Sequence, residues 1–111
     1  MNAELEERLR KIIGKGAAVG EVRMFGGLCF TLNGNMQICV RRDGSLLARV
    51  GAKNAAKAVK KTGVKRMVMR GREMADYVTV TRETFTDKAL RAWVAMTGDY
   101  VAALPKKPKA R

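Results

Sequence analysis

Leu28-Cys29-Phe30-Thr31-Leu32-Asn33-Gly34-Asn35-Met36-Gln37-Ile38-Cys39-Val40 is the stretch that decides the fold. Leu28, Phe30 and Leu32 alternate onto one face of a strand, as do Met36, Ile38 and Val40, and Asn33-Gly34 between them is a hairpin signal. To share one core, the two apolar sets must lie on the same side of the sheet. A two-residue Asn33-Gly34 loop pairs Leu32 with Asn35 and sends the sets to opposite faces. A three-residue loop of Asn33, Gly34 and Asn35 pairs Leu32 with Met36 and aligns them, so the longer loop is expected, with Asn35 adopting the left-handed conformation. In that register Cys29 sits directly across from Cys39, on the face away from the core.

Outward from this hairpin, Val22 to Phe25 precedes it and Leu46 to Val50 follows it, with turns at Gly26-Gly27 and Asp43-Gly44, which extends it into an antiparallel meander. Asn2 to Ile13 reads as an amphipathic helix: Leu5, Leu9, Ile12 and Ile13 recur at helical spacing, Glu4/Arg8, Glu6/Arg10 and Glu7/Lys11 are i,i+4 pairs, and Asn2 is the candidate cap. Gly14 to Gly20 lacks both the order of a phosphate-binding loop and a following helix, and reads as a linker. Ala52 to Lys61 reads as a second helix with a small-residue face of Ala52, Ala55, Ala56 and Val59. Arg66 to Arg70 and Tyr77 to Thr81 read as two more strands around a turn at Gly71-Arg72. Thr84 and Asp87 resemble a capping box for a final helix with the stripe Leu90, Trp93, Val94, Val101 and Leu104. The expected fold class is α+β, a central antiparallel sheet of five or six strands with flanking helices in the order helix, three or four strands, helix, two strands, helix. Residues 1–104 read as one domain and 105–111 as a disordered Lys/Pro tail.

The chain has 111 residues, two cysteines, no histidine and a formal net charge of +13. Two cysteines without histidine do not complete a structural zinc site, and the missing histidine removes the usual general base near neutral pH. No metal, cofactor or small-molecule substrate is therefore expected, and the chain does not read as an enzyme. Asp76, Tyr77 and Arg72 supply an acid, a base and a clamp on paper, but they match no reaction template. No apolar run approaches a membrane span and no signal peptide is visible, so a cytoplasmic protein is expected. In that compartment Cys29 and Cys39, the candidate thiol pair, are expected to be reduced and packed rather than bonded.

The positive charge is concentrated. Gly51 to Arg72 holds eight bases (Lys53, Lys57, Lys60, Lys61, Lys65, Arg66, Arg70 and Arg72) and no acid, and Lys106, Lys107, Lys109 and Arg111 follow in the tail. Such a block attracts polyanions in a salt-dependent way. Only Asn54 among the helix's side chains suits bidentate base readout, so nucleic-acid contacts would go to phosphate and not to sequence. A solvated, solubilising helix edge is the plainer reading of the same residues. Met67, Met69 and Met74 are expected as core filler, with an adaptable protein-binding groove as the sharper alternative.

Arg23-Met24-Phe25-Gly26-Gly27, followed by the Asn33-Gly34 hairpin and a strand ending Leu47-Ala48-Arg49-Val50-Gly51, resembles the TfoX N-terminal domain family over about residues 4–104. Met74 to Tyr77 before the strand Val78 to Thr81, and Trp93 in the last helix, add to the likeness. The resemblance implies an α+β domain similar to secretion chaperone-like folds and often dimeric. It also implies kinship with regulators of competence genes, whose full-length members carry a second, C-terminal domain. This chain ends soon after its last helix, so a stand-alone N-terminal domain is expected, without the role of that second domain. Within the pentapeptide, the plainer reading is a bend made by Gly26 and Gly27 with Met24 or Phe25 filling the core. The sharper reading is a partner surface formed by Arg23, Met24, Phe25, Gly26 and Gly27. Together these observations point to a regulatory or adaptor module with a basic face for an acidic partner, nucleic acid included. The alternative is a homodimeric protein-binding scaffold without a nucleic-acid role.

Overall fold

The computed structural model describes residues 2–14, 16, 18–24, 26–81 and 85–105. Along the chain these form α1 (Ala3–Ile13), β1 (Val19–Met24), β2 (Gly27–Leu32), β3 (Asn35–Val40), β4 (Leu46–Arg49), α2 (Ala52–Ala58), β5 (Val64–Met69), β6 (Arg72–Val80) and α3 (Asp87–Ala102). The six strands form an antiparallel sheet in the order β1-β2-β3-β4-β6-β5, the expected α+β arrangement with four strands before α2. The connection through α2 carries the chain from β4 past the position of β6 to the sheet edge, and β6 then returns between them. Among the described residues no helix is long and apolar enough to cross a membrane.

The central hairpin corrects the expected loop. Leu32 pairs with Asn35 and Thr31 with Met36 across a two-residue turn, in which Asn33 and Gly34 both take positive φ, 55° and 81°. The register then shifts between Phe30 and Thr31, so that Phe30 pairs with Ile38, Cys29 with Cys39 and Leu28 with Val40. The extra residue is Gln37, a β-bulge. It lets the chain use the tight turn that favours Asn-Gly and still bring Ile38 and Val40 onto the face of Phe30 and Leu28. Gln37 itself turns toward α3, where its Nε2 donates to Thr97 Oγ1 at 3.1 Å and to the Val94 carbonyl at 3.3 Å. Met36 lies before the bulge, so it stands on the opposite face and not with Ile38 and Val40 as expected.

The core lies on one side of the sheet. Leu28, Phe30, Ile38, Val40, Leu46, Ala48, Val64, Val78 and Val80 form a buried cluster with Leu9 of α1, Ala55 and Ala58 of α2, and Leu90 and Trp93 of α3. Residues of the other parity, Cys29, Cys39 and Leu47, point away from the helices. Full burial of each large aliphatic or aromatic side chain contributes about 1.5–3 kcal/mol, which makes this cluster the main source of cohesion. On α2 the buried positions are Ala55 and Ala58; Ala52 and Ala56, assigned to the packed face from the sequence, are exposed. The helix also stops at Ala58, short of Lys61.

The N-terminal caps of α1 and α3 also differ from the sequence reading. Asn2 makes no side-chain cap on α1; its Nδ2 donates to the carbonyls of Arg41 and Arg42, each at 3.1 Å, and ties the helix to the β3–β4 turn. At α3 the cap is Thr86, whose Oγ1 accepts from Ala89 N at 3.0 Å, whereas Thr84 lies outside the described residues. The i,i+4 pairs expected along α1 give way to one i,i+3 pair and two contacts to other elements. Arg8 reaches Asp87 at 2.8 Å, and Arg10 bridges Glu7 at 2.7 Å and Glu21 at 2.8 Å.

The β5–β6 hairpin turns at Arg70 and Gly71, again two successive positive φ values, 54° and 78°. Its register slips: Arg66 pairs with Val78 but Val68 pairs with Glu73, which sets Met74, Ala75, Asp76 and Tyr77 against Met67 alone. The slipped segment is held by Arg66 Nη1 donating to the Ala75 carbonyl at 3.0 Å. The Asp76 carbonyl also accepts from Val50 and Gly51 amides at 2.9 and 3.1 Å.

Candidate partner-binding surfaces

Within the Arg23 to Gly27 run, Arg23, Gly26 and Gly27 have architectural roles. Strand pairing puts Arg23 opposite Leu28 on the helix side, where Nη1 and Nη2 meet Glu6 Oε2 and Oε1 at 3.0 and 2.9 Å. The Glu6 side chain is only 8% exposed, so this fork satisfies a carboxylate that water hardly reaches. Gly26 takes φ 78° in the β1–β2 reversal, and a Cβ on Gly27 would run into the Val40 carbonyl of β3, so the first glycine serves the turn and the second the close approach of β2 to β3. Met24 faces the helix-free side and does not fill the core. Phe25 lies outside the described residues.

The cationic block does not form one face. Lys53, Lys57, Lys60 and Lys61 project from α2 and the turn that follows it, all exposed, with Lys61 Nζ 5.7 Å from the centre of the Trp93 ring. Lys65 pairs with Thr79 and shares the helix-free face, Arg66 is tied to Ala75, and Arg70 and Arg72 flank the tip of the β5–β6 hairpin. None of the eight forms an ion pair with a described carboxylate: those pairs use Arg8, Arg10, Arg23 and Arg49. Lys106, Lys107, Lys109 and Arg111 lie outside the described residues.

The helix-free face carries a groove of about 510 Å³. Met24, Met36, Leu47, Met67 and Met69 line it, and the Cys29–Cys39 pair is buried in its floor, 5% and 3% exposed. These two cysteines form a cross-strand disulfide with Cα atoms 4.0 Å apart, which corrects the expectation of reduced side chains. The register derived for them from the longer loop holds, because the bulge restores the pairing that the shorter loop removes. Two of the three methionines expected in the core, Met67 and Met69, line the groove instead, and Met74 is half-buried. Arg41, Arg42, Asp43 and Arg70 stand at its rim. The Asp43 carboxylate accepts from Ser45 Oγ at 2.6 Å and from Ser45 N at 2.9 Å, bonds that hold its pKa below the usual aspartate value.

A fourth cluster brings Asp76 and Tyr77 together with Arg49, not with Arg72. Arg49 Nε lies 3.1 Å from Asp76 Oδ2 and the guanidinium sits over the Tyr77 ring, 5.4 Å from its centre. Burial pushes the Tyr77 hydroxyl pKa up. Nearby, the Tyr100 ring lies against Gly51 (φ 89°), where a Cβ would come within 2.6 Å of it. The Leu47 to Gly51 signature thus supplies one groove residue, one ion-pair partner and one glycine that no larger residue replaces without strain. The groove named as the sharper alternative for Met67 and Met69 is present, and what sequence reasoning missed is its other wall: Met24, Met36 and Leu47 share its face by strand parity, and for Met36 that signal is readable only once the Gln37 bulge is known.

No match was found among curated proteins or among solved structures. The model of the TfoX N-terminal domain matches residues 11–99, the span that holds β1 to β6, the groove and most of α3, and the chain therefore belongs to the TfoX N-terminal domain family.

Proposed function

We propose that the chain is a non-enzymatic regulatory or adaptor module that binds an acidic partner, nucleic acid included, through the lysines of α2 and of the turn that follows it. The observation that carries this reading is that Lys53, Lys57, Lys60 and Lys61 are exposed and make no ion pair with any described carboxylate. An unpaired cationic stripe on a chain of net charge +13 gains counterion-release free energy on meeting a polyanion, and each phosphate it neutralises adds about 0.9 to the salt slope of duplex binding. Contacts of this kind go to the backbone, so little preference among sequences is expected. Fluorescence anisotropy with labelled random-sequence duplex DNA at low and moderate salt tests the reading. Binding that weakens as salt rises supports it, and no binding at low salt removes nucleic acid from the partners.

A second reading, a homodimeric protein-binding scaffold, draws on Val22 and Val68. Both are exposed, at 42% and 53%, on β1 and β5, the two edge strands of the sheet. Light scattering over a range of concentrations tests it, and a strict monomer throughout counts against it.

A further inference from the structure

The groove on the helix-free face is built from unlike parts. Its walls are four flexible thioethers from three separate strands, Met24 of β1, Met36 of β3, and Met67 and Met69 of β5; its floor is a disulfide; its rim is cationic. Methionine side chains repack around varied apolar shapes at small cost, which suits a surface that accepts a range of side chains. The apolar surface also continues past the cavity. Val22, paired with Cys29 on the same face and outside the groove lining, is exposed, and Met69 of the lining is itself 45% exposed at the margin. A small molecule filling the cavity would leave that margin uncovered, whereas an extended chain segment crossing the sheet would cover both.

The rim says what charge that segment carries. Arg41, Arg42 and Arg70 line it, and none is in an ion pair with a described carboxylate. Asp43 also stands there, its Oδ1 engaged by Ser45, so the rim sets three cations against one anion. Arginine forks match carboxylates in geometry as well as in charge. A second copy of this chain fits poorly, because a two-fold contact through this face would set one copy's arginine rim against the other's.

We propose that the groove is a docking site for a protein segment that alternates apolar side chains with carboxylates, the apolar ones seated among the methionines over the Cys29–Cys39 bridge and the carboxylates meeting Arg41, Arg42 and Arg70. This site is separate from the α2 lysines and does not depend on the reading given for them. The test uses the full chain and a fluorescein-labelled peptide of alternating Leu and Glu, with a Leu/Lys and a Ser/Glu peptide as comparisons. The Leu/Glu peptide is expected to bind best. The double substitution Met69→Gln, Arg70→Asn, which keeps a residue tolerant of the left-handed conformation at 70, is expected to weaken it about tenfold or more. Lys53→Gln, Lys57→Gln is expected to leave peptide binding unchanged, and the dispersion of the NMR spectrum reports that each variant is folded. Should the double substitution misfold, Arg42→Gln on the opposite rim gives the same reading. Equal binding of the Leu/Glu and Ser/Glu peptides, loss of binding only in the α2 variant, absence of binding, or a dimer that closes the groove in light scattering would each overturn the proposal. All of these outcomes leave the α2 reading standing, and its own failure shows only in the duplex titration.

Discussion

Arg23 holds Glu6 with both terminal nitrogens, at 2.9 and 3.0 Å, and so fastens β1 to α1 across the helix side of the sheet. The first residue of the family's pentapeptide is therefore spent on architecture. Arg23→Ala leaves a nearly buried carboxylate without its partner and is expected to cost about 1.5–3 kcal/mol. Arg23→Lys keeps the charge, loses the fork and falls between. Urea denaturation of the three proteins checks this; an Arg23→Ala protein as stable as the parent would return Arg23 to the partner surface.

The bulge at Gln37 separates Met36 from Ile38 in a way that stability measurements read directly. Ile38 is fully buried, so Ile38→Ala is expected to cost about 2–5 kcal/mol. Met36→Ala, on the open face, is expected to cost less than half as much. Comparable losses at the two positions would favour the unbulged register in which both residues face the core.

The disulfide closes a short loop, a separation of 10 residues, so reducing it is expected to lower stability by about 2–3 kcal/mol through the greater freedom of the unfolded chain. Because both sulfurs lie in the groove floor, a thiol reagent reaches them slowly in the native protein. Mass-spectrometric thiol labelling after glutathione treatment is expected to show slow reduction in buffer and fast reduction in urea. Equal rates would mean that the pair is not sheltered.

Acid should weaken the fold, and neutral pH should not modulate it. Glu21 and Asp87 have their carboxyl pKa values lowered by hydrogen bonds from Arg10 and Arg8, and Asp43 by Ser45. A lowered folded-state value means that the unfolded chain takes up protons first, so the stabilisation is complete above the unfolded values of about 4 and is lost as pH falls through the folded ones. With no histidine in the chain, stability is expected to be nearly flat from about pH 5 to 8. Thermal unfolding against pH checks both parts, and Glu21→Gln should shallow the acid limb.

The alternating apolar runs, the helix stripes and the Asn-Gly turn made the α+β architecture and its element order legible from the sequence. The Gln37 bulge was not, because parity alone does not distinguish a three-residue loop from a two-residue loop followed by an inserted residue, and that ambiguity concealed which side Met36 takes. The cationic block was legible as composition but not as a surface. Residues contiguous in sequence pass through a helix, a strand and a turn, and so Lys57, Lys65 and Arg72 end on different parts of the molecule. Arg23 looked free because its partner, Glu6, sits in a helix whose own i,i+4 spacing offered Arg10 as the simpler match.

The claim that α2 and the turn after it present an uncompensated cationic stripe to an acidic partner is tested most directly by the salt dependence of duplex binding in the parent and in Lys53→Gln, Lys57→Gln, Lys60→Gln. If these lysines neutralise phosphates, the slope of log K against log salt should fall by about 0.9 for each, roughly 2.7 in all. An unchanged slope, or a parent that does not bind duplex even at low salt, would contradict it.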